Sequence, residues 1–366
     1  MERKPVGRRR ALLLSTAALA TTMCSRQPPG SSSLAPMLPR AAPDGPVSPM
    51  PPPTSGAVTL RPVNIVNTAG TFAATVQQLM KSRRYLEDLG LRPNFISVAD
   101  GSKVIGALVS GDADICTASG FSPLLPAIER GGKLKVVAGS EVLLLHLIYS
   151  SRPEIRRVKD LEGRTVGTGP VGALLHSITV ALLRKHGVDP RKVTFVNVGS
   201  SADVFRAVVA KVVDAGPSEL DYQGEEGRFA VHGLVDGNFW DGLPEYTNQA
   251  SYTSERALRE RRDVLVRTLA AYARLYRFIS GPDSKDAYLA ARATALNKNE
   301  PNEALAQWIF FQRHQSFALD LMLSEARVRY MQELNVSLGV QKAIMPFAKV
   351  ADMSLARDAI KLLDRA

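Results

Sequence analysis

Residues 95–114 read FISVADGSKVIGALVSGDAD, and residues 195–214 read FVNVGSSADVFRAVVAKVVD. At a constant offset of 100 and without a gap, Phe95 matches Phe195, Val98 matches Val198, and Val104 matches Val204. Ala107, Val109 and Asp114 likewise match Ala207, Val209 and Asp214, and Thr68 matches Thr168 at the same offset. Each copy reads as the end of a strand, a helix with one apolar face, and the start of a second strand. Unrelated α/β units also share Val and Ala at such places. That accounts for the apolar matches but less easily for the common register. The repeat therefore predicts two similar lobes built on one plan.

The flanking sequence extends the pattern. Val63–Val66 reads as a strand, 67–71 as a turn and Phe72–Leu89 as a helix closed by Gly90. Ala113–Thr117 is a strand, Phe121–Arg130 a helix and Lys135–Ala138 a strand. Around the second copy, Thr165–Gly167 is a strand, 168–172 a Gly-rich turn, Ala173–His186 a helix and Val212–Ala215 a strand. Strand–helix alternation predicts the α/β class, each lobe a mainly parallel sheet flanked by helices. From Ser254 onward the pattern is helical, over Ser254–Ser280, Lys285–Leu296, Glu303–Gln315, Ser324–Leu338 and Met353–Leu363. This helical C-terminal tail is expected to pack around the first lobe, with Trp308, Phe310, Phe311 and Phe317 in its core.

The chain has 366 residues, 45% hydrophobic and 22% charged, the proportions of a globular protein large enough for two cores. Its net charge is +11, but +4 of that lies in residues 1–24 and only +6 in residues 61–366. Without a long Lys/Arg run or interleaved aromatics, nucleic-acid binding has little support. The two cysteines, Cys24 and Cys116, form no CxxC or Cys/His cluster, so no metal site and no cofactor is expected.

Residues 1–24 read as an export signal. A basic start (Arg3, Lys4, Arg8, Arg9, Arg10) precedes the apolar run Ala11–Ala20, and Ala18-Leu19-Ala20 offers a small-x-small cleavage pattern. The adjacent arginines leave both the Sec and the Tat (twin-arginine) routes open. Cys24 raises lipid attachment as a further possibility, which Met23 before it argues against. Residues 25–60 are rich in Pro and Ser, with ten prolines between Ser25 and Thr59, and read as a disordered linker. The expected location is the periplasm. The first lobe is expected to comprise 61–147 and 247–366 with the C-terminal helices, and the second 148–246. Extended crossings between them are placed near Leu144–Ser150 and Tyr246–Tyr252.

In open α/β sheets, ligands bind beyond the carboxyl ends of the strands, where helices begin. Helix N-termini there present unpaired N–H groups and a partial positive charge, which favour an anionic group. Four segments meet this description: 67–71, 117–122, 168–173 and 216–219. The candidate ligand-binding residues are Asn67, Thr68, Gly70, Thr71, Ser119, Gly120, Phe121, Thr168, Gly169, Gly172, His176, Ser218 and Glu219. Hydroxyls would hydrogen-bond the ligand and glycines would expose backbone donors, whereas Glu219 would suit a cationic group. Turns need Gly, Ser and Thr in any case; the weight rests on four such segments at matching places. Trp240, Tyr222 and Tyr246 could stack on a ring or plug the lobe junction.

The stretches 106–114 (GALVSGDAD), 119–123 (SGFSP), 158–167 (VKDLEGRTVG), 187–190 (GVDP) and 213–215 (VDA) occur in an order that resembles the substrate-binding proteins of ABC importers. The resemblance is to the nitrate/sulfonate/taurine group, the SsuA/THI5-like family, and covers about residues 60–280. It departs at Lys211, where a Gly before the second Val-Asp-Ala is usual. The resemblance implies a type II periplasmic binding protein fold, two lobes that close on a small ligand. It also implies a monomer that delivers an anionic, sulfonate-, nitrate- or taurine-like solute to an ABC permease in the inner membrane with its ATPase. A binding module feeding a sensor or receptor would use the same cleft. The family's fold also serves enzymes, namely pyrimidine synthases, whose cysteine-rich motif is absent here, and a desulfinase with a nucleophilic cysteine. For the latter, Cys116 is the candidate, with His146 or His176 as base. Its place inside an apolar strand reads as packing, so no catalytic residue is expected and the chain is read as a non-enzyme.

Overall fold

The computed structural model describes residues 60–297 and 304–365. The expected export signal and nearly all of the expected Pro-rich linker lie outside the described residues. The chain first builds β1 (Arg61–Thr68), α1 (Thr71–Arg83), β2 (Leu91–Val98), α2 (Gly101–Ser110), β3 (Ile115–Ser119), α3 (Leu124–Glu129) and β4 (Leu134–Gly139). It then crosses to a second sheet with β5 (His146–Ser150), β6 (Thr165–Thr168), α4 (Leu174–Lys185), β7 (Thr194–Asn197), α5 (Ser201–Val209), β8 (Ala215–Glu219), α6 (Glu226–Phe229), β9 (His232–Asn238) and α7 (Phe239–Gly242). It returns to the first sheet as β10 (Ala250–Ser254). The helical remainder is α8 (Glu255–Glu260), α9 (Arg262–Ile279), α10 (Lys285–Leu296), α11 (Leu305–Arg313), α12 (Glu325–Ser337), α13 (Phe347–Val350) and α14 (Ser354–Leu363).

The sheet orders are β2-β1-β3-β10-β4 and β7-β6-β8-β5-β9. In each, one strand alone runs against its neighbours: β10 pairs antiparallel with β3 and β4, and β5 with β8 and β9. Both antiparallel strands are the first element after a crossing. Each sheet thus receives the returning chain in its interior. The α/β class with two helix-flanked, mainly parallel sheets and a helical C-terminal region holds throughout.

The repeat read in the sequence is a repeat of structure. α2 and α5 begin at Gly101 and Ser201, β3 and β8 begin at Ile115 and Ala215, and β1 and β6 end at Thr68 and Thr168. The matching aspartates do matching work. Asn64 N–H donates to Asp114 Oδ2 (2.8 Å) and Thr165 N–H to Asp214 Oδ2 (3.0 Å), clamping the central parallel strands. Each carboxylate also meets an arginine, Arg261 (3.5 Å) and Arg152 (3.1 Å) respectively.

Three local expectations change. Gly216–Glu219 is strand rather than a strand-to-helix turn. A Cβ on Gly216 would stand 2.4 Å from Val204 Cγ1, so this glycine admits α5 against the sheet. The helix expected from Ser254 breaks at Arg261 into α8 and α9. The Arg261 guanidinium there reaches Asp114 and the Pro62 carbonyl. The helix expected over Phe72–Leu89 stops at Arg83, where Arg84 turns left-handed (φ 54°) and a short 3-10 turn, Glu87–Leu89, follows. The tail helices do cover the first lobe. Leu265, Leu269, Tyr272 and Tyr276 of α9 join one buried cluster with Val63, Ile65 and Leu79. A second cluster runs between the lobes through Leu144, Ile148 and Tyr246.

Lys211 shows what the repeat constrains. Gly111 ends α2 at φ 90°, and Lys211, its counterpart after α5, sits at φ 59°. Left-handed backbone costs a residue with a Cβ about 1 kcal/mol or more, which Gly avoids. Lys211→Gly is therefore expected to raise unfolding free energy by ~0.5–1 kcal/mol in urea denaturation, the gain being trimmed by glycine's extra unfolded-state entropy. Gly111→Ala should lower it by about 1 kcal/mol or more, since it forces a Cβ onto left-handed backbone at φ 90° and also displaces the Arg256 guanidinium.

Candidate functional site

The carboxyl ends of β1, β3 and β6 open on one cleft of about 510 Å³, lined from both lobes and from both crossings. The first lobe supplies Thr68, Gly70, Thr71, Phe72, Ser119 and Gly120, the second Gly169, Gly172, Ala173, Ser200, Ser201 and Glu219. Glu141, Leu145 and His146 come from the first crossing and the start of β5. Tyr246, Asn248 and Gln249 come from the second crossing, and Arg292 and Gln307 from α10 and α11.

Helix capping divides the four relevant helix starts into two kinds. Asp100 caps α2 by accepting from Ser102 N–H (2.9 Å) and Lys103 N–H (3.0 Å). Ser200 caps α5 in a reciprocal box with Asp203. By contrast α1 starts after Gly70 and α4 after Ala173, neither with a side-chain cap. These are the helices that follow the two equivalent strands β1 and β6, and both starts line the cleft. Their first N–H groups thus have no side-chain acceptor, and each helix dipole presents its positive end to the space between the lobes.

Eight of the residues singled out in the sequence line this space: Thr68, Gly70, Thr71, Ser119, Gly120, Gly169, Gly172 and Glu219. The other five stand behind it. Asn67 Oδ1 accepts from Ala118 N–H (2.7 Å) and Thr117 N–H (3.1 Å), which fixes β3 beside β1. Phe121 is core. Thr168 is buried and donates to its neighbour's carbonyl at Gly169 (3.0 Å). His176 packs edge-on against Phe195 and accepts from Gly172 N–H (3.3 Å), steadying the Gly-rich turn. Ser218 donates to the Ser201 carbonyl (2.8 Å). Of the aromatics, Trp240 packs on Phe310 and Tyr222 stacks on Phe205, while Tyr246 reaches the cleft.

The inner end of the cleft is a cluster the sequence did not announce. Glu141 is 3% exposed, and burial pushes its carboxyl up to about 8; the Asn248 hydrogen bond opposes this and the Glu219 charge adds to it. Glu219 faces His146 across the β5–β8 pair, and its pKa too is raised by burial. Burial drives His146 down to about 4, so its imidazole is neutral. Arg292, buried on α10, is ion-paired with Asp221 of the segment after β8, an interaction that joins the lobes. These residues come from parts of the chain up to 151 positions apart, 141 to 292. The usable sequence signal was positional: residues flanking the two crossings must floor any cleft between the lobes.

Cys116 lies in β3, fully buried, its thiol pushed up to about 11 by burial. It does not line the cleft. A neutral, inaccessible thiol is a poor nucleophile. Among the described residues no group of His, Cys, Asp and Glu side chains is placed to hold a metal ion, and no helix is long and apolar enough to cross a membrane.

The NMT1/THI5 like family profile matches residues 76–283. The chain belongs to this family. No curated protein matches the sequence closely enough to report. Among solved structures, the periplasmic sulfonate-binding protein SsuA from Methylobacillus flagellatus KT aligns with TM-score 0.66 and 14% identity over 84% of this chain and 96% of its own. The periplasmic aliphatic sulphonate binding protein SsuA from Escherichia coli aligns with TM-score 0.64 and 17% identity over 80% and 92%. The desulfurization enzyme DszB aligns with TM-score 0.56 and 15% identity over 83% and 99%. At such identities the likeness is one of fold: proteins with this two-lobed architecture include binding proteins and an enzyme.

Glu141 makes stability depend on pH in a direction opposite to that of most carboxylates. Its folded-state pKa lies above the unfolded value, so its stabilising share is complete in acid and is lost as pH rises towards 8. Glu141→Gln should therefore gain stability relative to the unaltered protein between about pH 5 and pH 8 and no further above that. The ceiling is about 1.4 kcal/mol per pKa unit, a few kcal/mol in all. Urea denaturation at pH 5, 7 and 9 reads this directly; a gap that does not change with pH would contradict the burial of the carboxyl.

Proposed function

We propose that this protein is the solute-binding component of an ABC importer. It captures a small ligand with an anionic, sulfonate-like group between its lobes and delivers it to an inner-membrane permease driven by a separate ATPase. The observation that carries the reading is the pair of uncapped helix starts, Gly70 before α1 and Ala173 before α4, which open from opposite lobes into one cleft. An anion there accepts N–H donors from both lobes at once, and a ligand that touches both lobes favours their approach. Hinge closure around the ligand follows from that differential contact. The likeness in fold to the sulfonate-binding proteins supports the same reading, as does the buried state of Cys116, which leaves the desulfinase-like alternative without its cysteine at the cleft. In this reading residues 1–24 direct export to the periplasm by the Sec or Tat route, and the protein acts as a monomer without cofactor.

Two substitutions separate binding from stability. Ala173→Asp and Gly70→Asp each place a carboxylate where a cap belongs. Ala173 is exposed and extended, and a Cβ at Gly70 meets nothing within 4 Å, so both residues are accommodated. Each should stabilise its helix by ~0.5–1 kcal/mol while repelling an anion from the same N–H groups. With alkanesulfonates and nitrate as ligands, isothermal titration should give at least tenfold weaker binding to both variants. A ligand held at 100 times its Kd should raise the stability of the unaltered protein by about 2.7 kcal/mol. The reading fails if no small solute stabilises the protein, and the enzyme alternative replaces it if one is turned over instead.

A further inference from the structure

The charged side chains that line the cleft are Glu141, Glu219 and Arg292. Arg292 is ion-paired with Asp221 and also faces the two glutamates, so a single guanidinium is shared among three carboxylates. Asn248 donates to Glu141 Oε2. His146 lines the same end, is more than nine-tenths buried, and its Nδ1 has no partner. Gln249, also on the wall, has a buried carbonyl oxygen without a donor. One buried donor there, Arg292 Nε, is also without a partner, but carboxylates outnumber cations at this inner end, and apolar Phe72, Leu145 and Tyr246 stand beside it. Leaving buried acceptors and carboxylates unpaired is costly, and a donor-rich cation removes that cost. The cleft, at about 510 Å³, also has the size of sites that take organic molecules, well beyond the needs of a bare inorganic anion.

We propose that this inner end is a subsite for a protonated nitrogen group, an amidinium, guanidinium or ammonium, seated between Glu141 and Glu219 with His146 as a neutral partner. The proposal rests on the solute-binding reading and deepens it. The ligand is then bipolar, its anionic group at the starts of α1 and α4 and its cationic nitrogen against the crossings. Binding is also coupled to a proton. In the empty cleft Glu141 is pushed up to about 8 by burial, with Asn248 and Arg292 opposing and Glu219 and Asp221 adding; the phenols of Tyr276 on α9 and Tyr288 on α10 also face it. An entering cation favours the ionised carboxylate, so at pH 7 a proton leaves Glu141 for solvent as the ligand binds.

Matched probes test this on the full chain: 4-guanidinobutanoate against 4-ureidobutanoate, and benzamidine against benzamide. Within each pair the shape is nearly constant and only the cation is removed. Calorimetry in buffers of different ionisation enthalpy should show at least tenfold tighter binding of the cationic member, proton release at pH 7, and affinity that rises with pH up to about 8. Amidines and guanidines keep their charge over this range, so the rise belongs to the protein. Glu141→Gln and Glu219→Gln should each erase most of the preference, and both retain a polar side chain of the same shape. Equal or tighter binding of the neutral member overturns the proposal, as does affinity that falls through pH 8, which would mean that Glu141 binds as the protonated acid. If no cationic probe binds while an alkanesulfonate does, the cation subsite is lost and the solute-binding reading survives. If nothing binds, both fall.

Discussion

Everything about the cleft follows from how the chain passes between its two sheets. After each crossing the chain enters the middle of the other sheet, β5 between β8 and β9 and β10 between β3 and β4. An edge strand could slide or peel away, but an interior strand is held by ladders on both sides. The crossings are therefore anchored at both ends in the rigid centres of the lobes. Arg327 of α12 ties them to each other, its guanidinium donating to the Val142 carbonyl (3.0 Å) and the Tyr246 carbonyl (3.2 Å). Gln249 N–H donating to the Glu141 carbonyl (2.9 Å) and the Asn248 amide donating to the Glu141 carboxylate join them a second time. The strand ends of the two sheets can then face each other only across a floor made of residues 140–145 and 243–249, and this is where Glu141 and Asn248 lie.

Much of the fold was legible in the sequence because it is local. The offset of 100 falls on the same structural positions in both lobes, from the starts of α2 and α5 to the paired aspartates Asp114 and Asp214. Helix periodicity and turn chemistry carry such information within twenty residues. The antiparallel strands β5 and β10 were legible as extended chain but not as interior strands, because their partners lie 65 to 136 residues away and no local pattern names them. Gly216 misled for a physical reason: a glycine that admits a helix against a sheet looks, in sequence, like one that admits a ligand.

The site divides in the same way. Its rim, Gly70, Thr71, Gly169 and Gly172, belongs to strand-to-helix turns and was readable from Gly and Thr at the ends of apolar runs. Several residues of the same segments turned out to support the rim from behind. Asn67 spends its amide on the backbone of β3, and Ser218 its hydroxyl on the Ser201 carbonyl. Short polar side chains at strand ends serve either purpose, and only the direction in which they point decides. The floor, from Glu141 to Arg292, is assembled by topology alone. It reverses the sign expected from the rim: anion-favouring helix ends at the mouth, carboxylates at the hinge.

That reversal bears on how the lobes would move in the proposed cycle. The Arg292–Asp221 pair joins the first lobe's α10 to the segment following β8 in the second, close to the crossings. Points near a hinge axis move least when two rigid bodies rotate, so a buried ion pair survives closure there, whereas the same pair at the rim would be pulled apart and would oppose reopening. Glu219 lies two residues before Asp221, and Glu141 on the first crossing, so closure about the crossings would leave both carboxylates near its axis and change their mutual distance little. The helix starts before α1 and α4, which belong to opposite lobes and not to the crossings, would change their separation more. In the proposed cycle, the inner end therefore reads the chemical identity of the ligand in either state, while the rim reports whether a ligand is present by closing on its anionic group.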